Sequence, residues 1–277
     1  MQHPDPSVGD ADVRHFLDAL HSATGYDLRD YNARSIRRRV CAALARSGLS
    51  SLAELERMVL QDQHVLARVL DDLTVRVTEM FRDPPFYRAV RSSVVPLLRT
   101  YPLLRIWHAG CATGEEVYST AILLEEEGLY DRAQIYATDL NAKAIERAKQ
   151  GIYPEELAPA LAKNHAAAGG LLATNEYVST AYAHFSFRER LKNNILFFQH
   201  DLVNDHVFGE MQIVFCRNVL MYFGPDLRRR VLEKIARSLT PGGFLCLGTT
   251  ERIPRPEDGG VGFVEFAPHV NIYRKQE

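Results

Sequence analysis

Hydrophobic and polar positions divide the chain into two regions with different periods. Between residue 10 and about residue 80, apolar side chains recur every three or four positions, which predicts amphipathic helices. Examples on the first two helices are Val13, Phe16, Leu17, Leu20, Ile36, Val40, Ala43 and Leu44. Ser51 followed by Glu54 predicts a capping box at the start of a third helix. We therefore expect an all-helical domain over residues 1–83.

The second region alternates short apolar runs with amphipathic stretches. Pro84 and Pro85 begin a predicted linker over 84–102, with one helix from Phe86 to about Arg99. The runs predicted to be strands are LRIWHAG, QIYATDL, NILFFQHDL, MQIVFCRN and FLCLG. Strands that alternate with crossover helices predict a parallel, doubly wound α/β sheet over 103–277, to which the tail FVEFAPHVNIYRK adds an antiparallel hairpin.

Residues from 154 to about 194 interrupt this alternation. PEELAPALAKN has a helical pattern, and NEYVSTAYAHFSF has the pattern of short strands without a crossover helix. The segment is therefore predicted to be a small β-subdomain inserted into the α/β domain.

Composition narrows the function classes. The chain has 277 residues, a net charge of −2, 46% hydrophobic and 25% charged residues, which is typical of a globular protein and not of a general nucleic-acid binder. No apolar run approaches the roughly 18 residues of a membrane span, and the first residues lack the pattern of a secretion signal. Four scattered cysteines fit a reduced, cytoplasmic protein. The ten histidines show no metal-ligand spacing, and His108 and His200 are expected to be structural.

A glycine turn follows the first predicted strand. Gly110 and Gly114 allow a tight backbone turn where a ligand can approach, and Gly110 is a candidate for binding it. The third glycine of a dinucleotide site is absent, and Glu115 and Glu116 would repel a pyrophosphate but suit an amine or another cation. The alternative is a plain turn whose acids complement the helix dipole.

Asp139 ends the second predicted strand. An acid there can accept hydrogen bonds from the two hydroxyls of a ribose, as in nucleotide-binding α/β folds. The alternative is an N-cap for the following helix. Together with the glycine turn, Asp139 favours S-adenosylmethionine over NAD, because the former carries an amine and a sulfonium but no phosphate.

Four strings in a fixed order add a family resemblance. VTEMFRD, ATGEE, ATDL and FCRNVLMYF, read with their spacing, make the chain resemble the CheR family of chemoreceptor glutamate methyltransferases from about residue 10 to residue 275. The resemblance implies a Rossmann-like class I methyltransferase sheet, an all-helical N-terminal domain and a small inserted β-subdomain. It also implies transfer of a methyl group from S-adenosylmethionine to glutamate, with S-adenosylhomocysteine as the product and no metal.

The resemblance assigns roles to particular residues. It implies that Thr78 and Arg82 contact the cofactor, that Glu116 meets its amine and that Asp139 holds its ribose. Arg76, which stands where many relatives have asparagine, is a departure from the pattern.

The resemblance also assigns roles to residues that follow the later predicted strands. The resemblance places Asp201 and Leu202 beside the adenine and makes Arg217 and Asn218 cofactor contacts. Tyr222 matches the tyrosine that faces the methyl group, so Arg82 and Tyr222 are the expected catalytic residues. A glutamate acceptor, with a pKa of about 4.3, is already ionised at neutral pH and needs no strong base.

Arginines on the second helix suggest a docking surface. Most of Arg34, Arg37, Arg38, Arg39 and Arg46 project away from the apolar stripe, and the family places receptor helices near this domain. The expected docking residues for acidic receptor helices are Arg34, Arg37, Arg38 and Arg46; the alternative is a solvated face. Whether the β-subdomain binds a receptor C-terminal peptide stays open. Two other functions also stay open: a carboxyl methyltransferase for another protein or a small acid, and a non-catalytic S-adenosylmethionine-binding module.

Overall fold

The computed structural model describes residues 8–74, 78–207, 209–253 and 262–276. These residues form two compact units. The first contains 8–74 together with Leu220–Val231, and the second contains the remaining described residues. The segment 84–102, expected to be a separate linker, therefore belongs to the second unit.

The first unit is helical, as its apolar period predicts. Its helices are α1 Asp10–Thr24, α2 Ala33–Ser47, α3 Leu52–Gln61 and α4 Gln63–Leu73. The apolar positions of these helices form a core that includes Phe16, Leu20, Val40, Leu55 and Leu73, each at most 1% exposed. Phe223, from the later part of this unit, packs edge-on against Tyr31 with ring centroids 5.1 Å apart.

The first helical stretch of the second unit contains a π-helical turn. α5 Pro84–Ala89 continues into a π-helical turn, Val90–Val94, and then into α6 Val95–Leu98. Val95 N–H donates to the carbonyl of Val90, five residues earlier. The next residue is Pro96, which has no N–H, so the ordinary helical ladder cannot pass through this point. The one helix expected from Phe86 to about Arg99 is therefore found, as a continuous helical stretch over 84–98, but with a π-helical turn that was not expected.

A seven-stranded mixed sheet forms the centre of the second unit. The elements that follow the linker are β1 Leu104–Ala109, α7 Glu115–Glu126, β2 Ala133–Asp139, α8 Ala142–Gln150, β3 Ile152–Pro154, α9 Ala158–Ala167, β4 Val178–Ala181, β5 His184–Phe187, β6 Ile195–Gln199, β7 Met211–Cys216, α10 Pro225–Ser238, β8 Leu239–Leu247, β9 Phe263–Ala267 and β10 Ile272–Lys275. The order in the large sheet is β6-β2-β1-β7-β8-β10-β9, and β10 is antiparallel to both neighbours. The predicted doubly wound sheet with a terminal hairpin is confirmed. The carboxyl ends of β1, β2 and β7 share one edge, where ligands bind in such folds.

The inserted segment forms the expected small β-subdomain. β3, β5 and β4 make a three-stranded antiparallel sheet, accompanied by α9. The side chain of Glu126, at the end of α7, is fully buried and accepts hydrogen bonds from Leu171 N–H at 2.9 Å and Tyr177 hydroxyl at 2.9 Å. His165 Nε2 lies 3.0 Å from the same carboxylate, and Arg91 also pairs with it. This carboxylate ties the insertion to the helix that begins at the edge of the sheet.

Two further findings concern the whole described chain. Among its helices, none has both the length and the apolarity to cross a bilayer. Nor do histidine, cysteine and acidic side chains in the described ranges form a group that could hold a metal ion.

Candidate active site

The backbone after β1 turns sharply. Gly110 has φ +83° and Gly114 has φ +94°, a region that side-chain-bearing residues rarely adopt. The N–H of Gly110 donates to the carbonyl of Thr138 at 2.8 Å, which fixes the turn against β2. A Cβ atom at Gly110 would lie 2.5 Å from Val219 Cγ2. Glycine at 110 is therefore required by both conformation and space.

Asp139 stands beside this turn. Its Oδ2 accepts a hydrogen bond from Ala112 N–H at 2.9 Å, and its Oδ1 accepts one from Asn141 N–H at 2.9 Å. The N-cap of α8 is Asn141, whose side chain accepts from Lys143 and Ala144 N–H. The N-cap alternative for Asp139 is therefore wrong: its carboxylate is oriented at the end of β2, next to the glycine turn.

Glu116 and Arg217 form a buried ion pair. Arg217 Nη1 donates to Glu116 Oε2 at 2.8 Å, and Arg217 Nη2 donates to Asp83 Oδ2 at 2.7 Å. The Arg217 side chain is 1% exposed, and its guanidinium carbon lies 4.0 Å from the centroid of the Phe86 ring. One positive charge thus faces two negative charges, so the cluster retains an excess of negative charge.

The ionisation of these groups follows from their contacts. Burial acts to raise the pKa of Glu116, but the charge of Arg217 and the hydrogen bond from His108 outweigh it, so the pKa lies below its ordinary value. Burial likewise acts to lower the pKa of Arg217, but Glu116 and the other groups near it raise the pKa on balance. Both partners therefore remain charged at neutral pH. Glu115 differs, since burial raises its pKa against a hydrogen bond from the Thr113 hydroxyl.

His108 contacts the same carboxylate from the other side. Its Nδ1 lies 3.1 Å from Glu116 Oε1. Strand register places His108 opposite Phe215, and their rings stack with centroids 4.4 Å apart and an interplanar angle of 5°. The expectation for His108 was a structural histidine. The available signal was its position near the end of β1, two residues before Gly110.

Asn218 follows Arg217 in a left-handed conformation, with φ +61°. Its N–H donates to Glu251 Oε2 at 2.8 Å, and Gly248 N–H donates to the same oxygen at 2.7 Å. Glu251 is 1% exposed, so it is an interior support for Asn218 that sequence analysis missed. Its signal was an acid in the turn that follows the apolar end of β8.

The segment directly before α5 supplies backbone and side chains to this edge. Arg82 is half-buried, and its carbonyl accepts a hydrogen bond from Arg217 Nη2 at 3.4 Å. Its neighbours Phe81 and Asp83 both have positive φ values, +50° and +60°. A buried aromatic residue in that conformation costs about 1–3 kcal/mol, and clusters of such strain occur at functional sites. Thr78 is half-buried four residues before Arg82, and Arg76 lies outside the described residues.

Asp201 and Leu202 lie just beyond the end of β6. The N–H of His200 donates to the carbonyl of Asp139 at 3.0 Å, so this loop begins beside the ribose candidate. Asp201 Oδ1 accepts from Val203 N–H at 2.8 Å, and Leu202 is 9% exposed. The structure thus brings together the ends of four parallel strands, β1, β2, β6 and β7, that carry predicted cofactor residues.

Tyr222 belongs to the first unit. There the Arg39 guanidinium carbon lies 4.3 Å from the centroid of its ring, and Arg39 Nη1 donates to the carbonyl of Leu73 at 2.6 Å. Arg39 is 7% exposed and does not contribute to a basic surface. The catalytic role of Tyr222 stays a prediction.

The predicted docking arginines differ in their surroundings. Arg37 pairs with Asp10 at 3.0 Å, and Arg46 pairs with Asp72 at 2.9 Å. Arg34 and Arg38 are exposed, and no described residue forms a hydrogen bond or ion pair with either of them.

Comparisons with known proteins agree with this arrangement. Residues 76–264 match the model of the CheR methyltransferase, SAM binding domain, and residues 11–74 match that of the CheR methyltransferase, all-alpha domain. A Pseudomonas putida protein, provisionally named methyltransferase Cher3, is 45% identical over 88% of this chain and 89% of its own length. A chemotaxis protein methyltransferase from Vibrio cholerae is 30% identical over 89% of this chain and 91% of its own length. A chemotaxis protein methyltransferase from Listeria monocytogenes is 27% identical over 90% of this chain and 93% of its own length.

Proposed function

The chain belongs to the CheR methyltransferase family, and from that premise we propose that it methylates glutamate side chains of a chemoreceptor with S-adenosylmethionine as the methyl donor. It is an S-adenosylmethionine-dependent chemotaxis protein methyltransferase of the CheR type. The products are a glutamate methyl ester and S-adenosylhomocysteine. Receptor helices of this kind lie in the cytoplasm, which places the proposed reaction there.

The observation that carries the proposal is the position of Arg217 between Glu116 and Asp83. Two carboxylates share one guanidinium, so negative charge remains at the N-terminal end of α7. A helix N-terminus ordinarily favours anions such as phosphate. Here the acids reverse that preference and suit a ligand with an ammonium group, as in the amino-acid part of S-adenosylmethionine.

Asp139 supports the nucleoside half of the same ligand. A carboxylate has about four acceptor positions, and the two backbone N–H bonds fix its plane. A fixed carboxylate beside a glycine turn is suited to a pair of ribose hydroxyls. The proposed cofactor residues are Thr78, Arg82, Gly110, Glu116, Asp139, Asp201, Leu202, Arg217 and Asn218.

The chain's residues have a limited chemical task. S-adenosylmethionine supplies, when bound, an electrophilic methyl group on a sulfonium. The acceptor glutamate is ionised at neutral pH, so the protein need not remove a proton. Its residues instead align the acceptor and exclude water. We assign the orientation of the acceptor carboxylate to Arg82 and Tyr222.

Arg34 and Arg38 favour a protein acceptor over a small acid. Two exposed arginines one helical turn apart on α2 present positive charge that the described residues do not neutralise. Acidic receptor helices fit that charge, whereas a small carboxylic acid would not need it. The exposed edge strand β4 is a second candidate surface, suited to a receptor tail that adds a strand.

The experiment is a transfer assay with the full chain, a receptor cytoplasmic fragment and S-adenosylmethionine labelled in the methyl group. Base-labile label on the fragment, lost when its candidate glutamates are changed to alanine, supports the proposal. Label on a small acid in place of the fragment would contradict the receptor substrate. No transfer to either acceptor by a folded protein that binds the donor would favour the non-catalytic module.

A further inference from the structure

We propose that His108 is a positioning residue that fixes the carboxylate of Glu116 for the ammonium group of the ligand. This inference rests on the proposed function, because it concerns how the same site recognises the amino-acid half of S-adenosylmethionine. His108 itself is not assigned a contact with the ligand.

The two oxygens of Glu116 are engaged from different sides. Arg217 Nη1 donates to Oε2 at 2.8 Å, and His108 Nδ1 lies 3.1 Å from Oε1. Arg217 alone would leave the carboxylate free to rotate about its last bond, since only one oxygen receives a guanidinium hydrogen bond. The second contact sets the carboxylate plane, and such geometry decides how well a site recognises its ligand.

The surroundings of His108 assign its proton. His108 is fully buried, and its Nε2 has no hydrogen-bond partner among the described residues. A proton on Nε2 would be a buried donor without an acceptor, which is unfavourable. The tautomer with its proton on Nδ1 avoids that cost and makes the imidazole a donor to Glu116 Oε1.

The ring of His108 is held rigidly in that orientation. Strand register pairs His108 with Phe215, and the two rings are stacked 4.4 Å apart and nearly parallel. Residue alternation puts Arg217, two positions after Phe215, on the same side of β7 and its continuation. The sheet therefore presents the imidazole and the guanidinium to Glu116 together.

Two variants separate the ring of His108 from its donor. His108→Phe keeps an aromatic ring against Phe215 but removes the hydrogen-bond donor. His108→Asn keeps a donor near the position of Nδ1 but removes the ring. Two ligands separate the halves of the site: S-adenosylhomocysteine carries the amino-acid group, and 5′-methylthioadenosine has the same nucleoside without it.

Calorimetric titration of the full chain with both ligands tests the inference. We expect His108→Phe to bind S-adenosylhomocysteine about tenfold more weakly, the effect of one hydrogen bond to a charged group, and to bind methylthioadenosine as the wild type does. His108→Asn should restore most of the lost affinity. An equal loss for both ligands, or no loss for either, would overturn the positioning role.

Two controls distinguish a misfolded variant, and a failure of the proposed function, from a failure of the positioning role. If thermal unfolding shows that His108→Phe is not folded, His108→Leu takes its place, because leucine matches asparagine in size and lacks its donor. Equal S-adenosylhomocysteine affinity in the leucine and asparagine variants would then overturn the inference. Failure of the wild type to bind S-adenosylhomocysteine would instead overturn the proposed function, and this inference with it.

Discussion

Glu116 and Arg217 are 101 positions apart in the sequence, and their side chains meet at 2.8 Å in the interior of the second unit. The sheet order explains this contact. β1 leads into the helix that begins with Glu115 and Glu116, and its parallel neighbour β7 ends immediately before Arg217. The same pairing that builds the sheet therefore builds the charged centre of the candidate site.

Removing the arginine should destabilise the protein strongly. Arg217→Met leaves Glu116 and Asp83 without their shared cation, and breaking a buried pair in this way costs about 3–5 kcal/mol of unfolding free energy. Arg99→Met is the matched control, because Arg99 pairs with Glu127 but is 48% exposed. A surface pair of that kind contributes about 0–1 kcal/mol. Urea unfolding of both variants measures the difference, and equal losses would contradict a buried ion pair at 217.

The ionised carboxylate of Glu126 should make the free energy of unfolding depend on pH in the acid range. Burial opposes its ionisation, but hydrogen bonds from His165 and Leu171 and the charge of Arg91 prevail and lower its pKa from 4.5 to about 2. A carboxylate with a lowered folded-state pKa stabilises the protein above its unfolded-state pKa, and this contribution disappears as the pH falls toward about 2.

Glu126→Gln should therefore be less stable than the wild type at neutral pH, and the gap should narrow below about pH 4.5. The other carboxylates are common to both proteins and cancel in the difference. Unfolding free energies of the two proteins over a pH series check this expectation. A gap that stays constant down to acid pH would rule out the proposed ionic anchor of the insertion.

Tyr222→Phe should lower turnover without changing cofactor affinity. The substitution keeps the ring that lies 4.3 Å from the Arg39 guanidinium and removes only the hydroxyl. If that hydroxyl orients the acceptor, turnover with a receptor fragment should fall about tenfold or more, while S-adenosylhomocysteine should bind as tightly as before. Steady-state rates and calorimetry on the same preparation measure the two quantities. Unchanged turnover would remove Tyr222 from the catalytic residues.

Reversing the charge of two arginines on α2 should lower the catalytic efficiency with a receptor substrate. We expect Arg34→Glu combined with Arg38→Glu to lower kcat/KM for a receptor fragment about tenfold at low salt, with a smaller effect as salt is added. S-adenosylhomocysteine binding should not change. Arg14→Glu is the control, since Arg14 is an exposed arginine on α1 of the same unit. If the control lowers kcat/KM as much as the α2 variant, the effect is one of net charge and not of a docking surface.

Elements with a strong period could be predicted from the sequence. β7 is buried at every position and β1 at every position but Arg105, and the four N-terminal helices follow an apolar stripe, so both kinds of element could be predicted. Pro96 shows the limit: a π-helical turn lies directly before this proline, which lacks an N–H, but proline is also common inside the first turn of a helix. The pattern alone does not distinguish the two.

Side-chain partners were harder to predict than elements. Ser51 caps α3 as expected, through a hydrogen bond from Glu54 N–H at 3.3 Å, but the Glu54 carboxylate accepts from Ser50 rather than from Ser51. Arg39 lies on a helix rich in exposed arginines and is nevertheless buried, because Leu73 and Tyr222 supply a carbonyl and a ring in its path. Such outcomes depend on packing between distant segments, which local sequence does not encode.

Some residues of the candidate site could be predicted from the sequence and others could not. Gly110 and Asp139 could be found from one strand and its turn, because each carries a local conformational or positional signal. His108, Asp83 and Glu251 could not, since each acquires its role only through a partner from a distant segment, on α7 or directly after β7. Sheet order decides those partners.

We propose above all that this edge of the sheet binds S-adenosylmethionine through Asp139. The most direct test is calorimetric titration of the full chain with S-adenosylhomocysteine, alongside Asp139→Ala. We predict binding by the wild type and a loss of at least about tenfold in the variant, because a carboxylate that accepts from ribose hydroxyls forms charge-assisted hydrogen bonds. Absence of binding by the folded wild type, or equal binding by both proteins, would contradict the claim.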